Sequence, residues 1–250
     1  MDLYGLIGYP LSHSFSRSFF NDKFAAEQID AQYVNFEIPS IQEFKSVIKN
    51  NPALKGLNVT IPYKEQVIPF LDKINDDSKQ IGAVNVIAFN RSKGKLKLIG
   101  YNSDIIGFKN SIEPLIPSKH EKALVLGTGG SAKAIYLGLK QLGVDPVYVS
   151  REKISPDMLT YAELLPEVME SHTIIVNCTP VGMWPNVDAC PDIPYHLLTK
   201  KHLLYDLLYN PNETLFMKEG KKRGATVKNG LEMLLLQAFA GWDFWQGIVK

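Results

Sequence analysis

The sequence lacks most of what would commit a chain to a membrane, a disulfide framework or a polyanion. It has two cysteines, Cys178 and Cys190. Their number and spacing fit neither a disulfide framework nor a metal knuckle, so no metal is expected. No apolar run approaches the roughly 18 residues that span a bilayer. The opening Met1-Asp2-Leu3-Tyr4-Gly5 has neither the basic nor the apolar region of a secretory signal, and the cytoplasm is the expected location. Lys and Arg number 27 against 26 Asp and Glu, a net charge of +1. No sequence-wide field therefore draws the chain to nucleic acid or to an anionic membrane. There is no internal repeat, low-complexity tract or long linker.

What is present is the composition of a globular protein, 45% hydrophobic and 21% charged over 250 residues. That length suits one large domain or two ordinary ones. The chain is organised around residues 122–132, KALVLGTGGSA. A short apolar run reaches Leu126, and Gly127-Thr128-Gly129-Gly130-Ser131-Ala132 follows at once. A helical stripe of Ala132, Ile135, Leu139 and Leu142 comes next and is closed by Gly143. Strand, glycine turn and helix is the context in which a G-x-G-x-x-G/A match signals a dinucleotide site. The glycines let backbone approach a pyrophosphate, Ala132 lets the helix pack on the strand, and the first helical turn offers free N–H groups. Glycine-rich turns also occur where only a turn is needed; the flanking pattern favours the nucleotide.

Ahead of that turn, strands are expected at residues 2–8, 32–38, 54–60, 82–89 and 95–100, the last two paired across Ser92-Lys93-Gly94. Helices are expected after the loop 11–16, from Ser40 (with Glu43 at the capping-box spacing), and from after Pro62 to about Ile81. Beyond the turn, strands are expected at 146–149, 173–178, 203–207 and 225–227. This alternation predicts an α/β architecture with a parallel, doubly wound second half. The final helix, about Leu231 to Trp245, carries a broad apolar stripe that includes Ala238, Phe239 and Trp242. The first domain is the expected partner of that stripe.

The strand that follows the glycine turn ends at Ser150-Arg151, with Lys153 near and no carboxylate at the strand end. A carboxylate there would hold the ribose 2′-hydroxyl of NAD, whereas a guanidinium suits the 2′-phosphate of NADP. NADP is therefore expected, although Arg151 also reads as an ordinary solvated residue.

Candidate substrate residues lie where strands end. Ser14 and Ser16 alternate on an extended loop, where two hydroxyls could hold a carboxylate; a serine ahead of a helix is also a common N-cap. Asn58 and Thr60 share a strand face, Lys64 follows Pro62, Asn85 interrupts an apolar strand, and Asp104 opens the second domain. Taken singly, each reads as readily as a surface charge or a hydrogen-bonded core residue.

Taken together, these stretches resemble the shikimate dehydrogenase family. The segments are GYPLSHSFS from Gly8, GLNVTIPYK from Gly56, GAVN from Gly82, Asn102-Ser103-Asp104, the glycine turn, Asn177-Cys178-Thr179-Pro180 and LLLQA from Leu234. The resemblance covers essentially the whole chain. It implies NADPH-dependent reduction of 3-dehydroshikimate to shikimate, within chorismate and aromatic amino-acid biosynthesis. By the same resemblance the fold has two α/β domains, a substrate domain of residues 1–101 with 229–250 and a Rossmann-type NADP domain of residues 102–228. The two flank a cleft, and the last helix returns to the first. The resemblance assigns Ser14 and Ser16 to the substrate carboxylate, with Tyr209 and Gln237 also facing the substrate, and Thr60, Asn85 and Asp104 to the ring hydroxyls. Lys64 would be the acid/base beside Asp104. Gly127, Thr128, Gly129, Gly130, Ser131, Ala132, Ser150, Arg151 and Thr179 would line the NADP site, with Leu207 and Gly230 at the nicotinamide end. The partners implied are small molecules, with no nucleic acid or membrane, for a monomer or homodimer.

The chain departs from the family pattern at Arg17, where proline is frequent, at Tyr101, where an acid is frequent, and at Ile105, where glycine is frequent. The last two bear on the wall beside the reacting carbon. Two rival readings stand beside this one. A quinate-type dehydrogenase using NAD would be favoured by an acid at position 150 or 151, and none is there. A non-catalytic NADP-binding module would have no need of Lys64 and Asp104.

Overall fold

Apolar strands alternating with amphipathic helices build two units, one of residues 1–103 with 238–250 and one of residues 104–237. The computed structural model describes residues 1–11, 15–92, 94–116 and 121–248.

The first unit runs β1 (Asp2–Gly8), α1 (Phe15–Ala26), β2 (Ala31–Glu37), α2 (Phe44–Asn50), β3 (Leu54–Val59), β4 (Lys73–Ile74), α3 (Asp76–Ile81), β5 (Val86–Ser92) and β6 (Lys95–Tyr101). Its sheet has the order β2-β1-β3-β5-β6-β4. β1 is parallel to β2 and β3, while β5 is antiparallel to both β3 and β6. Ile7, Phe44, Leu54, Leu57, Val59 and Ile87 fill one core.

Three expectations change here. Ser16 lies in the first turn of α1 rather than on an extended loop, because Phe15 stacks on Phe19 at 5.4 Å and carries the i, i+4 stripe back to residue 15. Ser14 lies outside the described residues. The helix expected up to Ile81 is broken: Ile68–Phe70 is a 3₁₀ turn with Pro69 in its first turn, β4 intervenes, and Asn75 caps α3 by accepting from Ser78 N at 3.1 Å. Ser40 opens a 3₁₀ turn, Ile41–Glu43, by accepting from Gln42 N at 3.3 Å, and α2 begins only at Phe44.

The second unit runs α4 (Asp104–Ile112), β7 (Lys122–Leu126), α5 (Gly130–Gln141), β8 (Asp145–Ser150), β9 (Leu159–Thr160), α6 (Pro166–Ser171), β10 (Ile174–Asn177), β11 (Leu203–Asp206), α7 (Leu215–Lys222), β12 (Thr226–Lys228) and α8 (Leu231–Gln246). The sheet order is β12-β11-β10-β7-β8-β9, with every pair parallel. This is the doubly wound Rossmann arrangement, with its strand order reversing between β7 and β10. Both faces of the sheet are covered. Ala123, Val125, Ile135 and Met233 share one core, and Leu124, Leu126, Ile175 and Phe216 the other.

α8 is shared by the two units, its residues from Ala238 onward belonging to the first. There Ala238, Trp242 and Trp245 pack with Tyr4, Phe20, Phe24 and Tyr33. Trp245 Nε1 donates to Ile87 O at 3.2 Å, so the indole is both packed and satisfied. Among the described residues no helix is long and apolar enough to cross a membrane.

Candidate active site

Two of the expected substrate residues of the first unit, Thr60 and Asn85, lie just after the end of β3 and just before the start of β5. Thr60, half-buried, is fixed by its backbone: Thr60 N donates to Ile7 O at 2.9 Å, and Thr60 O accepts from Tyr63 N at 2.9 Å. The intervening Ile61–Pro62 peptide is cis. Lys64 follows, also half-buried, and its carbonyl accepts from Val84 N at 2.8 Å. That bond ties the turn bearing Lys64 to the segment bearing Asn85.

Asn85 is buried and sits one residue ahead of β5, rather than inside a strand as its surroundings suggest. Its Nδ2 donates to Ser103 Oγ at 3.1 Å, and its Oδ1 accepts from Ser103 N at 2.7 Å. Its carbonyl accepts from Val59 N at 2.9 Å and from Asn58 Nδ2 at 3.3 Å. Asn58 Oδ1 accepts from the Tyr33 hydroxyl at 2.7 Å. The Tyr33 phenol is also hydrogen-bonded to the half-buried Ser16 side chain, and burial pushes its pKa up. A phenol has one hydrogen, and Tyr33 gives it to Asn58, so Ser16 is the donor to Tyr33. A continuous polar line thus runs from Ser16 through Tyr33, Asn58 and Asn85 to Ser103 within an apolar unit.

The helix carrying Ser16 is held to β2 by Asn21. Asn21 Nδ2 donates to Tyr33 O at 3.0 Å, and Asn21 Oδ1 accepts from Tyr33 N at 2.9 Å. Phe20 stacks on the Tyr33 ring at 4.9 Å. Tyr33 was hidden in the sequence by its place in an alternating strand, where an aromatic reads as core. The signal that could have found it is the asparagine at position 58, inside an otherwise apolar strand and in need of a buried partner.

Tyr101 ends β6 and stacks on Phe244 at 4.2 Å. Its side chain, like that of Ile105, is buried. Arg17 is exposed on α1.

In the second unit, Asp104 is the first residue of α4 and is buried. Gln237 is half-buried and donates from Nε2 to Leu234 O at 2.9 Å, while Tyr209 is exposed. The glycine turn lies at the C-terminal end of β7, beside the strand-order reversal. Gly127 has φ +104°, a conformation that disfavours any side chain, and its N–H donates to Val149 O at 2.9 Å. α5 starts after Gly129 with no side chain capping it. A Cβ built on Gly129 would meet nothing within 4 Å, so this glycine is not there to relieve a clash within the protein. Thr128 and Ser131 are half-buried, and Ala132 is 1% exposed against the core of the sheet. Open backbone at the uncapped start of a twelve-residue helix is the arrangement that receives a pyrophosphate, so these residues fit a dinucleotide.

β8 ends at Ser150, which is half-buried, and Arg151 follows, exposed. Burial raises the phenol pKa of Tyr161, against a smaller opposing pull from the Arg151 charge. Lys153 Nζ meets Glu163 Oε1 at 2.6 Å. That ammonium, together with the N–H and hydroxyl of Thr160, pulls the Glu163 carboxyl down to about 2.

The far side of the switch point is built by Asn177 and Asp206, at the ends of β10 and β11 and both fully buried. Asn177 Nδ2 donates to Asp206 Oδ1 at 3.0 Å, and Asn177 Oδ1 accepts from Thr179 N at 3.0 Å and Thr179 Oγ1 at 2.6 Å. Asp206 Oδ1 also accepts from Leu208 N at 3.1 Å, and its Oδ2 from Thr214 Oγ1 at 2.6 Å. Burial pushes the Asp206 carboxyl up to about 6 against the pull of these hydrogen bonds. Gly230 N donates to Leu208 O at 2.9 Å, and a Cβ on Gly230 would lie 2.0 Å from Leu207 O. Only glycine allows that approach. The sequence signal for Asp206 is a carboxylate closing the apolar run Leu203-Leu204-Tyr205. Among the described residues, no group of three or more His, Cys, Asp or Glu could hold a metal ion.

Comparison with known proteins gives a consistent picture. A family model described as the shikimate dehydrogenase substrate binding domain matches residues 6–87. A shikimate dehydrogenase (NADP(+)) of Caldicellulosiruptor saccharolyticus is 36% identical, over 98% of this chain and 92% of that protein. The crystal structure of shikimate dehydrogenase from Aquifex aeolicus is 35% identical, with a TM-score of 0.84 over 99% of this chain and 93% of that one. The Thermus thermophilus shikimate 5-dehydrogenase in complex with NADP(H) and shikimate is 28% identical, with a TM-score of 0.84 over 99% of this chain and 94% of that one.

Proposed function

The chain belongs to the shikimate dehydrogenase family, and on that premise we propose that it interconverts 3-dehydroshikimate and shikimate with NADPH and NADP⁺. The observation that best supports this reading is the division of labour between the units. The substrate-binding match, residues 6–87, falls within the first unit, while the glycine turn and Arg151 belong to the second.

Ser14 and Ser16 hold the substrate carboxylate, with Tyr209 and Gln237 also facing the substrate. Thr60, Asn85 and Asp104 hold its ring hydroxyls. The serine hydroxyls are neutral donors, so they orient the carboxylate through hydrogen bonds without pairing it with a cation. Gly127 to Ala132 receive the pyrophosphate, Ser150 and Arg151 the 2′-phosphate, Thr179 lines the same NADP site, and Leu207 and Gly230 lie at the nicotinamide end. Bound NADPH supplies the hydride, and NADP⁺ takes it in reverse.

Lys64 and Asp104 are the acid–base pair. The Lys64 ammonium stabilises the negative charge that develops on the ketone oxygen and gives it a proton. In the reverse direction the neutral amine takes the hydroxyl proton. Asp104, as the paired carboxylate, favours the ammonium form. The enzyme works in the cytoplasm, in the chorismate route to aromatic amino acids, as a monomer or homodimer. Its domains are residues 1–101 with 229–250 for substrate and 102–228 for NADP.

The test is absorbance at 340 nm with shikimate or quinate and NADP⁺ or NAD⁺. Turnover of shikimate with NADP⁺ is expected. NAD-selective turnover of quinate, or cofactor binding without turnover of either acid, would overturn the reading.

A further inference from the structure

Asp206 takes no part in the chemistry above, yet its carboxylate is fully buried and holds three separate groups of the second unit in register. Oδ1 accepts from Leu208 N and from Asn177 Nδ2, and Oδ2 accepts from Thr214 Oγ1. Asn177 passes the constraint on, since its own Oδ1 holds both the N–H and the hydroxyl of Thr179. Thr179 Oγ1 in turn accepts from Val181 N at 3.3 Å. On the other side, Leu208 O accepts from Gly230 N at 2.9 Å, and Leu207 N donates to Asn177 O at 3.0 Å. The two loops are joined again where Trp184 N donates to Asn210 O at 3.4 Å.

Among the described residues the partners of Asp206 are neutral donors, with no cation among them. A buried carboxylate without a counter-charge is costly to keep, and an apolar residue at the end of β11 would pack without that cost. What the carboxylate adds is geometric. Two oxygens with several acceptor positions can fix three donors at once, which no apolar side chain and no single hydroxyl does.

We infer that Asp206 is a positioning residue, whose carboxylate sets the placement of Thr179 through Asn177 and of the 207–209 turn and Gly230 through Leu208. It touches neither substrate nor cofactor and acts through these groups. This rests on the reading that assigns Leu207 and Gly230 to the nicotinamide end, Thr179 to the NADP site and Tyr209 to the substrate. Most of the cofactor's binding contacts lie elsewhere, on the glycine turn and Arg151. Asp206 therefore governs how well the reacting end is aimed rather than how tightly the dinucleotide is held.

The test uses the full chain with D206N, T214V and T214S. T214V removes the hydroxyl that bonds Oδ2 while keeping the side-chain shape, and T214S restores the hydroxyl. Amide hydrogen exchange at Thr179, Val181, Leu208 and Gly230 is expected to be about tenfold faster or more in D206N and T214V. It should stay at the wild-type rate in T214S, and at residues 122–141 in all three variants. In the shikimate assay, kcat is expected to fall roughly ten- to a hundredfold in D206N and T214V, the scale of a small misplacement of reacting groups. KM for NADP⁺ should stay within about twofold, and T214S should retain wild-type kcat. Unchanged exchange at the four amides, or uniformly faster exchange throughout the second unit, would overturn the inference. So would faster exchange at the four amides with kcat unchanged in an active enzyme. A wild-type protein that does not turn over shikimate refutes the functional reading instead, and the exchange pattern then decides on its own whether Asp206 organises these loops.

Discussion

The Tyr33 hydroxyl donates to Asn58 Oδ1 at 2.7 Å inside the first unit, and the same phenolic oxygen takes a hydrogen bond from Ser16. One side chain with no exposed surface thus connects the first turn of α1 to the end of β3.

Tyr33→Phe keeps the ring that stacks on Phe20 but leaves Asn58 Oδ1 and the Ser16 hydroxyl without their partner. A buried polar group left unsatisfied costs about 1–3 kcal/mol. A denaturant melt should show a lower midpoint with an unchanged slope, and KM for shikimate should rise because Ser16 is no longer fixed. An unchanged midpoint would mean the polar line contributes nothing to the fold.

Lys64→Ala removes the proposed proton donor and should lower kcat by roughly 10²–10⁴, with KM for shikimate moving little. Steady-state kinetics in both directions checks this. A kcat equal to wild type would take Lys64 out of the reaction.

Arg151→Ala should weaken NADP⁺ selectively. Hydrogen bonds to a charged group contribute about 1.5–3 kcal/mol, so kcat/KM with NADP⁺ should fall roughly ten- to a hundredfold while the value with NAD⁺ holds. An equal loss with both cofactors would contradict a 2′-phosphate contact.

Asp206 should also leave a mark on stability. Its folded-state pKa is raised from 3.8 to about 6, so the folded state binds more protons than the unfolded one between those values. Its favourable contribution is fully present below about pH 4 and is lost as pH rises through about 6, a fall of roughly 3 kcal/mol at most. Unfolding free energies of wild type and D206N, measured from pH 4 to 7, should therefore diverge, with the wild type losing ground as pH rises. A constant difference would contradict the raised pKa. Taking the difference cancels Glu163, whose lowered pKa acts in the opposite sense, its contribution being lost as pH falls through about 2.

The strand, glycine turn and helix at residues 122–141 were legible because each signal reinforced the next: an apolar run, glycines at fixed spacing, then a 3.6-residue stripe. The β5–β6 pairing was legible for the same kind of reason. Two-residue strands such as β4 and β9 carry no period and could not be read. The start of α1 was misplaced because a serine-rich stretch resembles a loop, while the Phe15–Phe19 contact that extends the helix becomes decisive only once the turn is wound. The residues proposed to carry the chemistry were legible only as a set. Lys64, Asn85 and Asp104 each look ordinary alone, and their order along the chain gave them meaning. Tyr33 and Asp206 act through partners distant in sequence, Asn58 in one case and Asn177 in the other, and no local pattern reports such a bond.

The most direct test follows the hydride itself. The full chain is incubated with 3-dehydroshikimate and NADPH carrying deuterium at both C4 positions, and the product is examined by mass spectrometry. Shikimate bearing one deuterium on the carbon that had been the ketone is the expected result. Shikimate without deuterium, or no shikimate at all, would contradict the account.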